Sequence, residues 1–325
     1  MNKTRFGFRT LLFALLMALT TVAYAKEFKL GLIVPGSHAW SKAAETLGED
    51  LEKQSDGEFS LAVFPAGQLG SEAQMLQQLQ TGALDMAFMT AAEVANRVPD
   101  MGALFAPYLV DDVMQADKLL NTPTAQGLLE QLPSKAGVVG LGYGIAGMRL
   151  MLTGFPAEDV QAINDRKIRI TPFPPVQDFY RLLGAASTPM PVTDVYDALA
   201  NGQVDGVDAD LELIWKLRLY ERANTVLLSN HMMFPVVGLI SARTWSQLDQ
   251  DDRDLISTLT RERLAELAPY YQESQAETQA EIEAKNVKVV EVGPEFFGDK
   301  LDEWEALWMK KTPVLGELRE EAAGL

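Results

Sequence analysis

The 325-residue chain has no cysteine and only two histidines, His38 and His231. Without cysteine there is no disulfide, no thiolate nucleophile and no cysteine-based metal centre. The motifs H-E-x-x-H, G-x-S-x-G and the phosphate-binding P-loop are also missing. Positive charge is scarce: 28 Lys and Arg stand against 45 Asp and Glu, a net −17. That balance argues against nucleic acid and against anionic membrane surfaces as partners. After residue 25 no segment is apolar for the ~20 residues that a bilayer crossing takes. No metal or cofactor is expected.

The first 25 residues carry what the rest lacks. Lys3, Arg5 and Arg9 precede the apolar run Leu11–Ala18, and Ala23-Tyr24-Ala25 is an A-x-A cleavage pattern. This reads as a secretory signal over 1–25, with the mature chain starting at Lys26. Its removal takes away three basic and no acidic side chains, leaving −20 on the remaining 300 residues. The expected mature protein is soluble, bacterial and periplasmic. It takes its stability from a packed core rather than from disulfides.

Apolar residues alternate at Phe28, Leu30, Leu32 and Val34, which predicts a strand over 27–34. Trp40, Ala43, Ala44, Leu47 and Leu51 follow helical spacing up to the Ser55-Asp56-Gly57 stop. A second strand at Phe59–Val63, a helix opened by Ser71 and Gln74 as a capping box, and a strand at 84–90 complete βαβαβ. The pattern restarts after residue 160 with a strand at Lys167–Ile170, a helix from Pro175, a short strand near Thr188–Met190 and a helix over 193–201. A long charged helix over 251–285 is expected to kink or split at Pro269. A short strand at 287–291 and an amphipathic helix through Leu301, Trp304, Leu307 and Trp308 follow.

One phrase occurs twice, 120 residues apart. Residues 79–87 read Leu-Gln-Thr-Gly-Ala-Leu-Asp-Met-Ala, and residues 199–207 read Leu-Ala-Asn-Gly-Gln-Val-Asp-Gly-Val. Each is a helix ending on a glycine suited to a left-handed cap, then a strand opening around an aspartate. Two copies of one α/β unit imply two similar lobes with a cleft between them.

Gly142-Tyr143-Gly144-Ile145-Ala146-Gly147 matches the dinucleotide fingerprint G-x-G-x-x-G. That fingerprint needs a helix directly after it. Here Gly154-Phe155-Pro156 leaves no room for one, so the run reads as a glycine-rich strand crossing between lobes. Arg169 is more telling. It closes a strand, and in open α/β sheets the ligand crevice lies beyond the carboxyl ends of strands. A guanidinium there presents a rigid fork that fits a carboxylate. Arg149 follows the glycine-rich run, where the chain passes between lobes.

Several stretches then resemble one family, in its order and over nearly the whole mature chain. They are Phe64-Pro65-Ala66-Gly67-Gln68-Leu69-Gly70-Ser71-Glu72, Gln80–Ala87, Arg166-Lys167-Ile168-Arg169, Pro189-Met190-Pro191, Val195–Leu199, Gly202–Val207, Ser229-Asn230-His231 with Phe234-Pro235, and Trp245–Asp254. The chain resembles the DctP-type substrate-binding proteins of tripartite ATP-independent periplasmic (TRAP) transporters. The resemblance implies an α/β, two-lobed periplasmic binding protein fold, type II-like, with cross-over strands and a long connecting helix. It implies lobes of 26–146 with about 235–274, and of 147–234 with about 275–325. The implied function is capture of a carboxylate solute in the cleft by a monomer and its delivery to large and small membrane permease subunits.

The resemblance also implies that Arg169 pairs with the ligand carboxylate, with Arg149 as a second arginine and His231 as a structural histidine. His38, Trp40, Thr90 and Glu93 are candidate contacts on the first lobe. Phe173 and Phe234 are candidates to pack on the ligand's carbon skeleton. Where relatives place a neutral amide or a Glu-Asn pair, this chain has Val207-Asp208-Ala209-Asp210. An aspartate at 208 or 210 facing the cleft repels a second carboxylate and accepts bonds from hydroxyl or ammonium groups. A hydroxylated, amino-bearing or zwitterionic acid is therefore expected rather than a simple dicarboxylate. The alternatives are an exported enzyme using cleft carboxylates and a binding protein that feeds a sensor kinase.

Overall fold

The structure is a computed structural model that describes residues 25–325; the remainder of the signal segment lies outside the described residues. Among the described residues no helix is long and apolar enough to cross a membrane.

Two βαβαβ units carry the molecule. The first is β1 (Lys26–Gly31), α1 (Ala39–Gln54), β2 (Phe59–Phe64), α2 (Glu72–Thr81) and β3 (Met86–Thr90). After helices and turns over 91–136 comes a long strand, β4 (Val138–Thr153). The second unit is β5 (Lys167–Ile170), α3 (Pro174–Leu182), β6 (Ala186–Pro189), α4 (Val195–Ala200) and β7 (Gly206–Ala209). Then follow α5 (Leu211–Lys216), a second long strand β8 (Thr225–Ser241), α6 (Gln250–Ala265), α7 (Leu267–Glu283), β9 (Lys288–Glu291) and α8 (Lys300–Trp308).

All strands join one sheet in the order β2-β1-β3-β8-β4-β7-β5-β6, with β9 beside β8. Within each unit the strands are parallel and the first strand is central. The units therefore form two wings of the same order, β2-β1-β3 and β6-β5-β7. Between them β4 and β8 run antiparallel over most of their length. These two strands cross from one wing to the other.

The repeated phrase does the same work in both wings. Gly82 and Gly202 lie in the left-handed region at φ 77° and 66°. The next residue's N–H reaches back to Gln78 in one copy and Ala198 in the other, both at 2.9 Å. The aspartate then accepts a backbone N–H from the wing's central strand: Asp85 from Lys29 at 3.0 Å, Asp205 from Lys167 at 2.9 Å. A strand donor that lies before the neighbouring strand begins to pair needs an acceptor, and the same side chain supplies it twice.

The G-x-G-x-x-G run lies inside β4. A Cβ on Gly142 would come within 2.6 Å of Arg261 Cγ, and one on Gly144 within 2.9 Å of the Leu264 carbonyl oxygen. The glycines let α6 pack directly on the crossing strand. The expected long helix breaks between α6 and α7, and Pro269 sits in the first turn of α7. Its missing N–H cannot bond back to Ala265, which accounts for the break. A further C-terminal helix, Val314–Ala322, and the helices of 113–136 carry no reading from the sequence. The larger apolar cluster runs from Phe28 through β4 and β8 to Trp304 and Leu318, and a smaller one around Val195, Val207 and Ile214 belongs to the second wing.

Gly144→Ala is expected to lower unfolding stability by about 1–3 kcal/mol, the usual cost of overpacking against backbone. Gly202→Ala, with open space at its Cβ, is expected to lose only about 1 kcal/mol through its left-handed φ. Urea unfolding of both variants measures the difference.

Candidate functional site

A cavity of about 130 Å³ opens between the wings. Trp40, Glu72, Thr90 and Glu93 line it from the first wing, Arg149 and Phe234 from the crossing strands, and Arg169 and Asp210 from the second. Arg169 is the third residue of β5 and therefore stands at the carboxyl end of the sheet.

Arg169 is 3 % exposed. Its Nε and Nη2 donate to the Met190 carbonyl at 3.1 and 2.8 Å, and Nη1 donates to the Asp208 carbonyl at 3.3 Å. Among the described residues no carboxylate lies within ion-pair distance of it. Three of the five guanidinium N–H groups are thus taken by neutral oxygens and two are left over. Burial, and then the neighbouring Arg149 charge, lower its pKa to about 9. It stays cationic at neutral pH. A buried cation without a counter-ion is costly, and an anion entering the cavity removes that cost.

Arg149 is equally buried but already neutralised. Its Nε donates to Asp208 Oδ1 at 2.7 Å, Nη2 to the same carboxylate, and Nη1 to Asp210 Oδ2 at 3.3 Å. The guanidinium lies 4.4 Å from the Phe234 ring centre, a cation–π contact. Shifts in the β4–β8 register before Met148 and after Arg149 turn this side chain out of strict alternation.

Asp208 faces away from the cavity. Besides Arg149 it holds the Tyr180 hydroxyl at 2.9 Å and His231 Nε2 at 3.1 Å. Burial alone would raise its pKa; the Arg149 charge and His231 outweigh burial and hold it at about 2. His231 Nδ1 lies 2.8 Å from Ser229 Oγ. Ser229, His231 and Asp208 thus line up in the order of a hydrolase triad. None of the three reaches the cavity wall, and Phe179 stacks on the imidazole at 5.1 Å.

Asp210 is the aspartate that does face the cavity. It caps α5 by accepting the Leu213 N–H at 2.8 Å. Burial raises its pKa to about 6 against the opposing pull of Arg149. His38 stands behind the cavity wall. It caps α1 through Nδ1, which accepts the Trp40 N–H at 3.3 Å, and burial lowers its pKa to about 3. Phe173 also stands behind, packed on Phe105 at 4.4 Å. Of the residues singled out from sequence, Arg169, Arg149, Asp210, Phe234, Trp40, Thr90 and Glu93 share the cavity. Asp208, His38 and Phe173 do not.

Glu72 is a cavity residue that the sequence reading did not single out. Its Oε1 accepts the Thr90 N–H at 2.6 Å and Oε2 the Thr90 hydroxyl at 2.8 Å. Desolvation raises its pKa to about 7, more than the Thr90 bonds lower it. The capping box Ser71–Gln74 forms as expected, and it sets Glu72 at the first helical position, where the α2 N-terminus meets the cavity. That placement was the available signal.

Two mirrored wings, two crossing strands and a cleft holding an uncompensated cation are the architecture of a solute-binding protein. The chain belongs to the DctP family, bacterial extracellular solute-binding protein family 7, whose model matches residues 30–310. It is 28 % identical over 241 residues to the sialic acid-binding periplasmic protein SiaP of Vibrio cholerae, covering 74 % of this chain and 75 % of that one. The sugar acid binding protein DctPAm of Advenella mimigardefordensis, solved with galactonate, superposes with a TM-score of 0.88 at 26 % identity. That match covers 92 % of this chain and 98 % of the other. A TRAP periplasmic solute binding protein of Citrobacter koseri, solved with D-glucuronate, gives 0.86 at 28 % identity over 92 % and 99 %.

Four carboxyls with raised pKa lie in or beside the site: Glu72 at about 7, Asp210 at about 6, Glu212 at about 7 and Glu93, each raised chiefly by burial. A raised folded-state pKa contributes stability below the unfolded value near 4.5 that is lost as pH rises through 7. Asp208, with a depressed pKa, has the opposite sign and withdraws stability only as pH falls below about 4. The ligand-free protein is therefore expected to melt higher at pH 5 than at pH 8. Glu72→Gln is expected to shrink that difference in thermal melts across the range.

Proposed function

We propose that this protein captures a monocarboxylate bearing hydroxyl or ammonium groups in the cleft. The uncompensated Arg169 carries the reading. One carboxylate satisfies its two remaining N–H groups, and that charge-assisted fork acts in a water-poor cavity where it is strongest. Apart from the two arginines, the ionisable side chains of the cavity are carboxyls. Glu72, Glu93 and Asp210 suit hydroxyl or ammonium donors and repel a second carboxylate. Trp40 and Phe234 offer apolar faces for a carbon skeleton. Galactonate and D-glucuronate, bound by the similar proteins, are acids of this kind. We assign Asp208, His38 and Phe173 to supporting the wall rather than touching the ligand.

The two wings act as lobes, of 26–146 with about 235–274 and 147–234 with about 275–325, that close on the ligand about the crossing strands. The protein works as a periplasmic monomer, exported by its N-terminal signal, and hands its cargo to the membrane subunits of a TRAP transporter.

Calorimetry with D-glucuronate, D-galactonate and succinate tests this reading. The hydroxylated acids are expected to bind, with micromolar affinity needing only ~8 kcal/mol, and succinate is expected to bind at least tenfold more weakly. Arg169→Met is expected to abolish detectable binding. It is also expected to leave the ligand-free protein as stable or more stable, because it removes a buried unpaired charge. Unchanged affinity in that variant overturns the assignment of Arg169.

A further inference from the structure

Behind the cavity a second carboxylate bridges the two wings. Glu212, in the first turn of α5, is 5 % exposed. Its Oε1 accepts the Ala39 N–H, the first of α1, at 3.0 Å across 173 residues of sequence. Its Oε2 accepts the Tyr271 hydroxyl of α7 at 2.7 Å and lies 3.2 Å from His38 Nε2. The Tyr270 hydroxyl donates to Oε1 at 3.3 Å. A carboxylate at the amino end of a 16-residue helix is also favoured by the helix dipole.

The neighbours of both partners line the ligand cavity. Trp40 follows Ala39, while Asp210 and Leu213 flank Glu212. A solute seated between Trp40 and Leu213 therefore holds together the same two helix ends that Glu212 joins. We propose that Glu212 is the interlobe latch of this protein: a positioning residue that touches no ligand but sets affinity by stabilising the closed cleft. The inference rests on the reading of the wings as closing lobes. The wings also meet at the cleft mouth, where a Cβ on Gly67 would lie 3.3 Å from Thr193 Cγ2.

The absence of cysteine makes a clean test possible. Gln68 and Asp197 are exposed on either side of that mouth. Cysteines placed there, spin-labelled, report the opening distance with and without D-glucuronate or D-galactonate. Glu212→Ala is expected to shift the ligand-free population toward longer distances and to weaken binding about tenfold, mainly through faster dissociation. Glu212→Gln keeps an oxygen for the Ala39 N–H and is expected to restore most of the affinity. Ala39→Pro deletes only the donor, at a first-turn position where proline is tolerated, and is expected to reproduce the Glu212→Ala distances. Distances and affinity unchanged in both Glu212→Ala and Ala39→Pro overturn the latch. So does a loss in Glu212→Ala that Glu212→Gln fails to restore. If the wild type binds none of the acids, the solute reading fails, while the ligand-free distances still decide the latch.

Discussion

A guanidinium buried without a carboxylate partner is the interaction on which this molecule turns. Arg169 is held by two backbone carbonyls, which fix its position but do not cancel its charge. Water is the usual remedy for such a charge, and burial removes it. The charge that faces the cavity is thus left for an anion to cancel.

The rest of the site keeps that charge uncompensated. Acidic side chains are abundant nearby, yet each is engaged elsewhere. Asp208 is committed to Arg149, Tyr180 and His231, a knot that ties β4, β7, β8 and α3. Asp210 is shared between Arg149 and the start of α5, and Glu72 is clasped by Thr90. Arg149 thus does electrostatic housekeeping: by occupying both aspartates it prevents them from collapsing onto Arg169. Its own charge also lowers the affinity of Arg169 for its proton.

Much of the fold was legible because it depends on local period and punctuation. The alternation at Phe28–Val34, the capping box at Ser71 and the glycine stops at Gly82 and Gly202 all act within a few residues. The repeated aspartate was legible as a pattern but not as a role, since its partner lies on another strand. The orientation of Asp208 and Asp210 was not legible. Every residue of β7 is buried, so alternation does not separate a cavity face from a core face. The chain also leaves the strand between them, and Asp210 turns with the start of α5. The placement of His38 was not legible for a similar reason: as a cap it spends a ring nitrogen on the adjacent helix and lies outside the cavity lining.

Local pattern alone sets the order of strands and helices within the two α/β units, the doubling of that unit, and an arginine at the carboxyl end of a strand. The lack of cysteine also requires a core without disulfides. Which charges cancel is settled in three dimensions. Whether an arginine is neutralised depends on separations of a few ångströms between β4, β5, β7 and β8, and those are set by strand register rather than by spacing along the chain. That is why Arg149 and Arg169, alike in sequence context, became a supporting strut and a waiting charge.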